Sequence, residues 1–144
     1  MTSYTRVPAV WLVLVVAALA VSACGSSSPV APDQTSVAYS QTDLTVGTGT
    51  EATPGRTASV QYILWLYSET GVDKKGQQVD SGQFAYVVGS NQVIKGFDTA
   101  VTGMKVGGIR RATIPPSLAY GTTGSNNIPP NAALVFEIGL AGVQ

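Results

Sequence analysis

The chain contains no histidine, a single cysteine near its N-terminus, and few charged residues, eight basic and eight acidic. Without histidine a Ser-His triad is impossible, and the commonest general acid/base is missing. One cysteine and no histidine also exclude the usual zinc ligand sets, so neither a metal nor another cofactor is expected. The charges cancel, and removing Arg6 with the N-terminal leader leaves one net negative charge. That balance gives no electrostatic footprint for nucleic acid, and none is expected as a partner.

What is present begins with MTSYTRVPAVWLVLVVAALAVSACGSSSP. A basic start, an apolar run from Val7 to Ala20 and a small-residue segment follow the three-part pattern of a secretory signal peptide. Val21-Ser22-Ala23-Cys24 resembles the bacterial lipobox, whose cysteine becomes the acylated first residue, with Val21 standing where leucine is usual. An ordinary secretion signal and an uncleaved membrane anchor are the other readings, the apolar run being slightly short for a span. The Ser, Pro and Gly-rich stretch that follows lacks apolar periodicity and reads as a linker. The expected organisation is a lipoprotein-type signal peptide over 1–23, a flexible tether over 24–36 and one domain over 37–144. Lipidation at Cys24 would place the protein outside the cytoplasm, lipid-anchored to the cell membrane.

Within the domain, TASVQYILWLY (57–67) alternates with period two, setting Ala58, Val60, Tyr62, Leu64 and Leu66 on one face, which predicts a strand. FAYVV (84–88) and ALVFEIGL (133–140) repeat the pattern, and 105–114 and about 36–46 are further candidates, making about five strands. Only VIKGFDTAVTGM (93–104) has helical spacing, with Ile94, Phe97, Val101 and Met104 on one face and Gly103 placed to end the helix. An α+β domain follows, an antiparallel sheet curled around one short helix.

Several formal motifs fail on context. Gly47-Thr48-Gly49-Thr50-Glu51-Ala52 matches the dinucleotide fingerprint, but Pro54-Gly55 and a strand follow where a helix N-terminus is needed, so it reads as a turn. Gly124-Ser125 lacks the spacing of a nucleophile elbow. Among carboxylates only Asp80 and Asp98 adjoin strongly patterned segments, and each could be a turn or helix-surface charge.

The succession QYILWLY, GQQVDSG, VVGSNQVIKGFDTAVTGMKVGG, RRATIPPSLAYG and IPPNAALVFEI resembles the FKBP-type peptidyl-prolyl isomerases over about residues 41–144. The resemblance implies a five-stranded antiparallel half-barrel wrapped around a short helix, with an apolar pocket for proline between sheet and helix. It places Tyr62, Asp80, Phe97, Tyr120 and Phe136 in the catalytic pocket, with Phe97 as its floor, the Tyr120 hydroxyl donating to a substrate carbonyl and Asp80 at the edge. Phe84, Tyr86, Val93, Ile94 and Ile128 would contact substrate, the Ile94 N–H meeting a second carbonyl. Val79 stands where the family usually has phenylalanine, Phe97 where it often has tryptophan, and the loop between Gly124 and Pro129 is one residue shorter than in small family members. Less aromatic surface should weaken binding of large macrolides.

The implied function is isomerisation of Xaa-Pro bonds in exported polypeptides by a monomer, inhibitable by the family's macrolides. A non-catalytic module docking a proline-containing partner in the same pocket is the alternative from another class. A general holdase is a third, but the family's chaperone members carry an inserted flap domain for which this chain has no room.

Overall fold

The structure, a computed structural model, describes residues 34–144. The expected signal peptide, Cys24 and the tether up to residue 33 lie outside the described residues. Five strands and one helix follow: β1 Ser40–Thr45, β2 Thr57–Tyr67, β3 Lys75–Val87, α1 Lys95–Val101, β4 Ile109–Ile114 and β5 Leu134–Val143. Short 3₁₀ turns occupy Val72–Lys74 and Pro116–Leu118. The strands form one antiparallel sheet in the order β1-β4-β5-β2-β3, as expected for the half-barrel. No helix among the described residues is long and apolar enough to cross a membrane.

The core lies between the inner face of the sheet and α1. Period two carries it: Ala58, Val60 and Leu64 of β2 and Leu134, Phe136, Ile138 and Leu140 of β5 are buried, side chains on one face recurring every second residue. From α1, Phe97, Ala100 and Val101 close the same core. The helix approaches β4 so closely that a Cβ on Gly96 would lie 2.2 Å from Ile114 Cγ2. Glycine is therefore required there for packing, with an ordinary helical backbone.

Two differences from the sequence reading are structural findings. The strand expected over 84–88 extends back to Lys75 and stops at Val87. It is an edge strand, and only Tyr86 of its residues is fully buried, so its first half carries no apolar alternation to read. At the other end, Gln34, assigned to the tether, is held in the domain. Its N–H donates to Asn131 O (3.2 Å), its Nε2 donates to Tyr67 O (3.1 Å), and its Oε1 accepts from Ala133 N–H (2.8 Å).

Arg110 of β4 is the only buried charged side chain among the described residues. Its guanidinium donates to Asp43 on β1 (2.6 and 3.2 Å) and to the carbonyls of Ala100 and Thr102 (2.9 and 3.3 Å). Carbonyls at a helix C-terminus have no partner within the helix, and a cation there also meets the negative end of the peptide dipoles. One side chain thus ties β1, β4 and the end of α1 together.

A second ionic group joins Glu137 of β5 to Lys75 and Arg111, with Asp73 also paired to Arg111. The hydrogen bond from Arg110 holds the Asp43 carboxyl below its ordinary value of 3.8. For Glu137, burial alone would raise the value above 4.5, but bonds from Lys75 and Arg111 outweigh it and the net direction is down. A carboxyl depressed in the folded state contributes stability above its unfolded value, lost as pH falls through the folded one. The melting temperature should therefore fall as pH drops below about 4.5. Thermal melts of Asp43→Asn/Glu137→Gln across pH 2 to 7 should show a flatter acid limb; an unchanged limb would dismiss these two groups as its source.

Candidate functional site

Register builds the site. Tyr62 on β2 pairs with Gly82 on β3 and Ile138 on β5, and Leu64 pairs with Asp80 and Phe136. A Cβ on Gly82 would sit 3.3 Å from the Tyr62 ring, so the ring lies over a residue without a side chain. From there its hydroxyl reaches past Gly82 and donates to Asp80 Oδ2 at 2.7 Å. The pairing then slips: Leu64 faces Asp80 but Trp65 faces Gln78, leaving Val79 as an extra residue. Such a bulge re-aims side chains. Val79 packs on the core while Asp80 also meets the inner site, although neighbours on a regular strand would point to opposite faces.

Phe97 is the centre of an aromatic cluster. Its ring centroid lies 5.2 Å from Phe136, 5.7 Å from Phe84, 6.1 Å from Tyr86 and 6.2 Å from Tyr62, the contacts to Phe136, Tyr86 and Tyr62 being edge-on. Such geometry suits ring quadrupoles. Phe97, Tyr86 and Phe136 are buried, Tyr62 is half-buried, and Phe84 is 37% exposed. The cluster is thus a floor that opens toward solvent on the Tyr62–Phe84 side. Val93 and Ile94, immediately before α1, are half-buried against the same core.

Beside it, a cleft of about 220 Å³ is lined by Leu64, Val79, Asp80, Tyr120, Asn126 and Ile128, among others. Tyr120 and Ile128 come from the β4–β5 connection. Ser125 and Ile128 exchange backbone bonds of 3.0 and 2.7 Å around Asn126-Asn127, and Asn131 N–H donates to Gly121 O (2.8 Å). Gly124 has φ +71°, and a Cβ there would lie 2.4 Å from Ile128 O. The loop therefore depends on glycine at this position, both for its left-handed backbone and for its close approach.

Burial first, then the hydrogen bond to Asp80, pushes the Tyr62 hydroxyl up to about 12. Burial and then the Asp80 charge raise Tyr120 as well. Both phenols consequently stay protonated donors well into alkaline pH. The Tyr120 hydroxyl and the Ile94 N–H have no hydrogen-bond acceptor among the described residues. Two donors, one lining the cleft and one immediately before α1, are therefore open among the described residues, an arrangement that fits a ligand carrying carbonyl oxygens.

All ten pocket residues expected from the sequence lie in this region. Tyr62, Phe84, Tyr86, Phe97 and Phe136 share the ring cluster; Asp80, Tyr120 and Ile128 share the cleft; Val93 and Ile94 stand at the start of α1. Sequence reading missed Leu64 as a lining residue and Asp98 as a fastener. Asp98 accepts Gly89 N–H on both oxygens (3.0 and 3.1 Å), pinning the β3–α1 loop to the helix; an acidic residue in a first helical turn was the available signal. Burial, then Asp98, hold the Tyr86 hydroxyl above the ordinary phenol range, although it makes no hydrogen bond of acceptable geometry to any described residue. A larger groove of about 550 Å³ lies along Gln61, Ile63, Gln83 and Ile109, but it is on the outer face of the sheet and includes neither open donor.

Comparison with known proteins agrees with this geometry. Residues 48–141 match the FKBP-type peptidyl-prolyl cis-trans isomerase family. The chain is 45% identical over 104 residues to the 39 kDa FK506-binding nuclear protein of Drosophila melanogaster, covering 71% of this chain and 28% of that protein. It is 41% identical over 106 residues to FK506-binding protein 4 of Gibberella zeae, covering 71% and 20%. A solved peptidyl-prolyl cis-trans isomerase from Pseudomonas syringae pv. tomato superposes with a TM-score of 0.62 at 29% identity, over 79% of this chain and 83% of that one. The chain thus spans between a fifth and under a third of these two curated relatives.

The relatives also correct one expectation. Relatives named as FK506-binding nuclear proteins overturn the extracytoplasmic, lipid-anchored localisation, and the similarity to them gives the lipoprotein-like character no support. The physical reason is that a short apolar run ending in one cysteine is a local compositional pattern. It is independent of the domain that follows.

Proposed function

The chain belongs to the FKBP-type peptidyl-prolyl cis-trans isomerase family, and from that premise we propose that it rotates Xaa-Pro peptide bonds at the Phe97 cluster. The observation that supports this most directly is the pair of open donors, Tyr120 O–H and Ile94 N–H, beside an aromatic floor. Rotation needs no bond broken. The amide must lose resonance over a barrier of about 20 kcal/mol, and a gain of four to five decades requires about 5 to 7 kcal/mol of preferential transition-state stabilisation. A twisted amide is less dipolar than a planar one and suffers less from leaving water, so an apolar floor favours it. The two donors hold the flanking carbonyls while the prolyl ring turns, and Asp80, oriented by Tyr62, acts electrostatically near the rotating carbonyl. No step calls on a histidine or a metal.

The substrates in this reading are proline-containing polypeptides; export is no longer part of it once the localisation is corrected. The isomerase unit covers the expected 37–144 with Gln34 as its N-terminal anchor. The names of the relatives support binding of the macrolide FK506 at the same site, with affinity lowered by Val79.

The test is isomerisation of Xaa-Pro tetrapeptides by the full chain, with and without FK506. Acceleration blocked by FK506 is expected, and Tyr120→Phe should lower kcat/KM about fivefold, one hydrogen bond of about 1 kcal/mol, with the melting temperature unchanged. A folded chain that binds proline peptides without accelerating them would instead make this a docking module.

A further inference from the structure

Resting on the isomerase reading, we infer that the outer edge of β3 at Ser81, Gln83 and Ala85 is a strand-addition site, which binds an extended stretch of the polypeptide whose proline occupies the Phe97 cluster. β3 ends the sheet, so it has one neighbour, β2. Val88 N–H donates to Arg56 O, and the register continues unbroken from Thr57↔Val87 to Tyr62↔Gly82. Backbone groups alternate in direction along an antiparallel pair, so the odd-numbered residues of this stretch turn away from β2. Both ends of that outer row are closed by local groups. Val87 N–H donates to Gln92 Oε1 (3.2 Å), Val87 O accepts from Ser90 N–H (3.1 Å) and Ser90 Oγ (2.6 Å), and Ser81 N–H donates to Asp80 Oδ1 (2.8 Å). Between them, the N–H groups of Gln83 and Ala85 and the carbonyls of Ser81, Gln83 and Ala85 have no partner among the described residues. All three residues are exposed.

Exposed edges are ordinarily protected by charge, proline or a bulge. β3 has a lysine at its start and a bulge at Val79, but Ser81-Gly82-Gln83-Phe84-Ala85 carries neither charge nor proline. The unprotected window also adjoins the prolyl site at two residues. Asp80, whose Oδ1 closes one end of the window, accepts from Tyr62 on its Oδ2. Phe84, in the middle of the window, places its ring in the Phe97 cluster on the side that opens to solvent. A strand laid on this edge therefore runs along the open side of the site. Two windows of five residues paired between copies of this chain would bury far less than the roughly 1,000 Å² expected of a stable interface. A polypeptide already held by its proline needs no such area, because the second contact is intramolecular.

Reach sets the length of substrate that gains from the edge. An added strand lies about 4.8 Å beyond β3, and the Phe84 and Phe97 ring centroids are 5.7 Å apart. A proline over Phe97 is then on the order of 10 Å from the new strand, about three extended residues. A tetrapeptide stops short of it, whereas a chain reaching about eight residues beyond its proline fills the window. Main-chain hydrogen bonds supply the affinity in this mode of recognition, so the partner is an unfolded, extended polypeptide with little demand on its sequence. These bonds form equally in the ground and transition states of the rotation, so they lower KM and leave kcat alone.

The experiment measures KM and kcat of the full chain for one Xaa-Pro tetrapeptide and for the same peptide extended by eight Thr- and Val-rich residues, before or after the proline. At least one extension should lower KM about five- to tenfold at unchanged kcat, the net worth of one or two hydrogen bonds after ordering. N-methylation of alternate residues in the extension should abolish the gain. So should Gln83→Pro, which withdraws an outward N–H at a place where an edge strand tolerates proline, while tetrapeptide turnover stays as it was. Hydrogen exchange at the Gln83 and Ala85 amides should slow with the extended peptide and not with the tetrapeptide. Equal KM for all peptides overturns the inference and leaves the isomerase reading standing, as does a gain that survives both N-methylation and Gln83→Pro. Protection of these two amides that grows with protein concentration and needs no peptide also overturns it, in favour of a second copy at the edge. If Gln83→Pro does not fold, the N-methylated peptides and the exchange data on the unaltered chain decide. If no peptide is isomerised, the isomerase reading fails; slowed exchange under the extended peptide would then still support strand addition, and its absence would end both.

Discussion

Phe97→Ala is expected to cost about 3–5 kcal/mol of stability and to abolish detectable isomerisation. The ring is 3% exposed and touches four other rings from three strands, so truncation removes buried apolar area and leaves a cavity that β-strands on three sides cannot collapse into. The same cavity is the floor of the proposed prolyl site. Urea melts monitored by circular dichroism measure the first loss, and the tetrapeptide assay at a temperature where the variant is still folded measures the second. Phe97→Leu keeps most of the volume and should recover more than half of the stability while recovering little activity. Full activity in folded Phe97→Ala would show that catalysis happens elsewhere.

The second large effect is at Arg110. Arg110→Met preserves length and apolar contact but withdraws the donors to Ala100 O and Thr102 O and the partner of Asp43. A buried polar group left without a partner costs about 1–3 kcal/mol, and the expected total is about 2–3 kcal/mol. Asp43 is 40% exposed, so its ion pair is largely solvated and Asp43→Asn should cost under about 1 kcal/mol. The inequality is the test: equal losses in the two variants would mean that the ion pair, not the capping of α1, is what Arg110 contributes. Because α1 carries Phe97 and begins beside Ile94, a frayed helix end should also broaden the amide resonances of 94–97.

The legible parts of this fold are those with one buried face. β2 and β5 bury the apolar members of an alternating pattern, and α1 buries Phe97 and Val101 at helical spacing. Met104, which completes that spacing, is buried too, yet it lies beyond Val101, where the helix ends. The first half of β3 was illegible because an edge strand with exposed polar residues has no inside to declare. Arg110 was illegible for the opposite reason: in IRRATI the apolar Ile109 is exposed and the arginine is buried, since its head finds acceptors that only the folded chain supplies.

The candidate site divides in the same way. Its aromatic members could be named because the five segments stand in the order of a known family, and their alternation marked them as inward-facing. That Tyr62 and Asp80, 18 residues apart, share a hydrogen bond depends on strand register and on the single extra residue at Val79, which no local pattern encodes. By itself, the sequence determined the strands that line the core, the one helix and the aromatic inventory, because periodicity is a property of neighbouring residues. The tertiary structure decided which polar groups meet, which donors stay open and where Gln34 fastens the N-terminal segment, because those depend on distances between residues far apart in the chain.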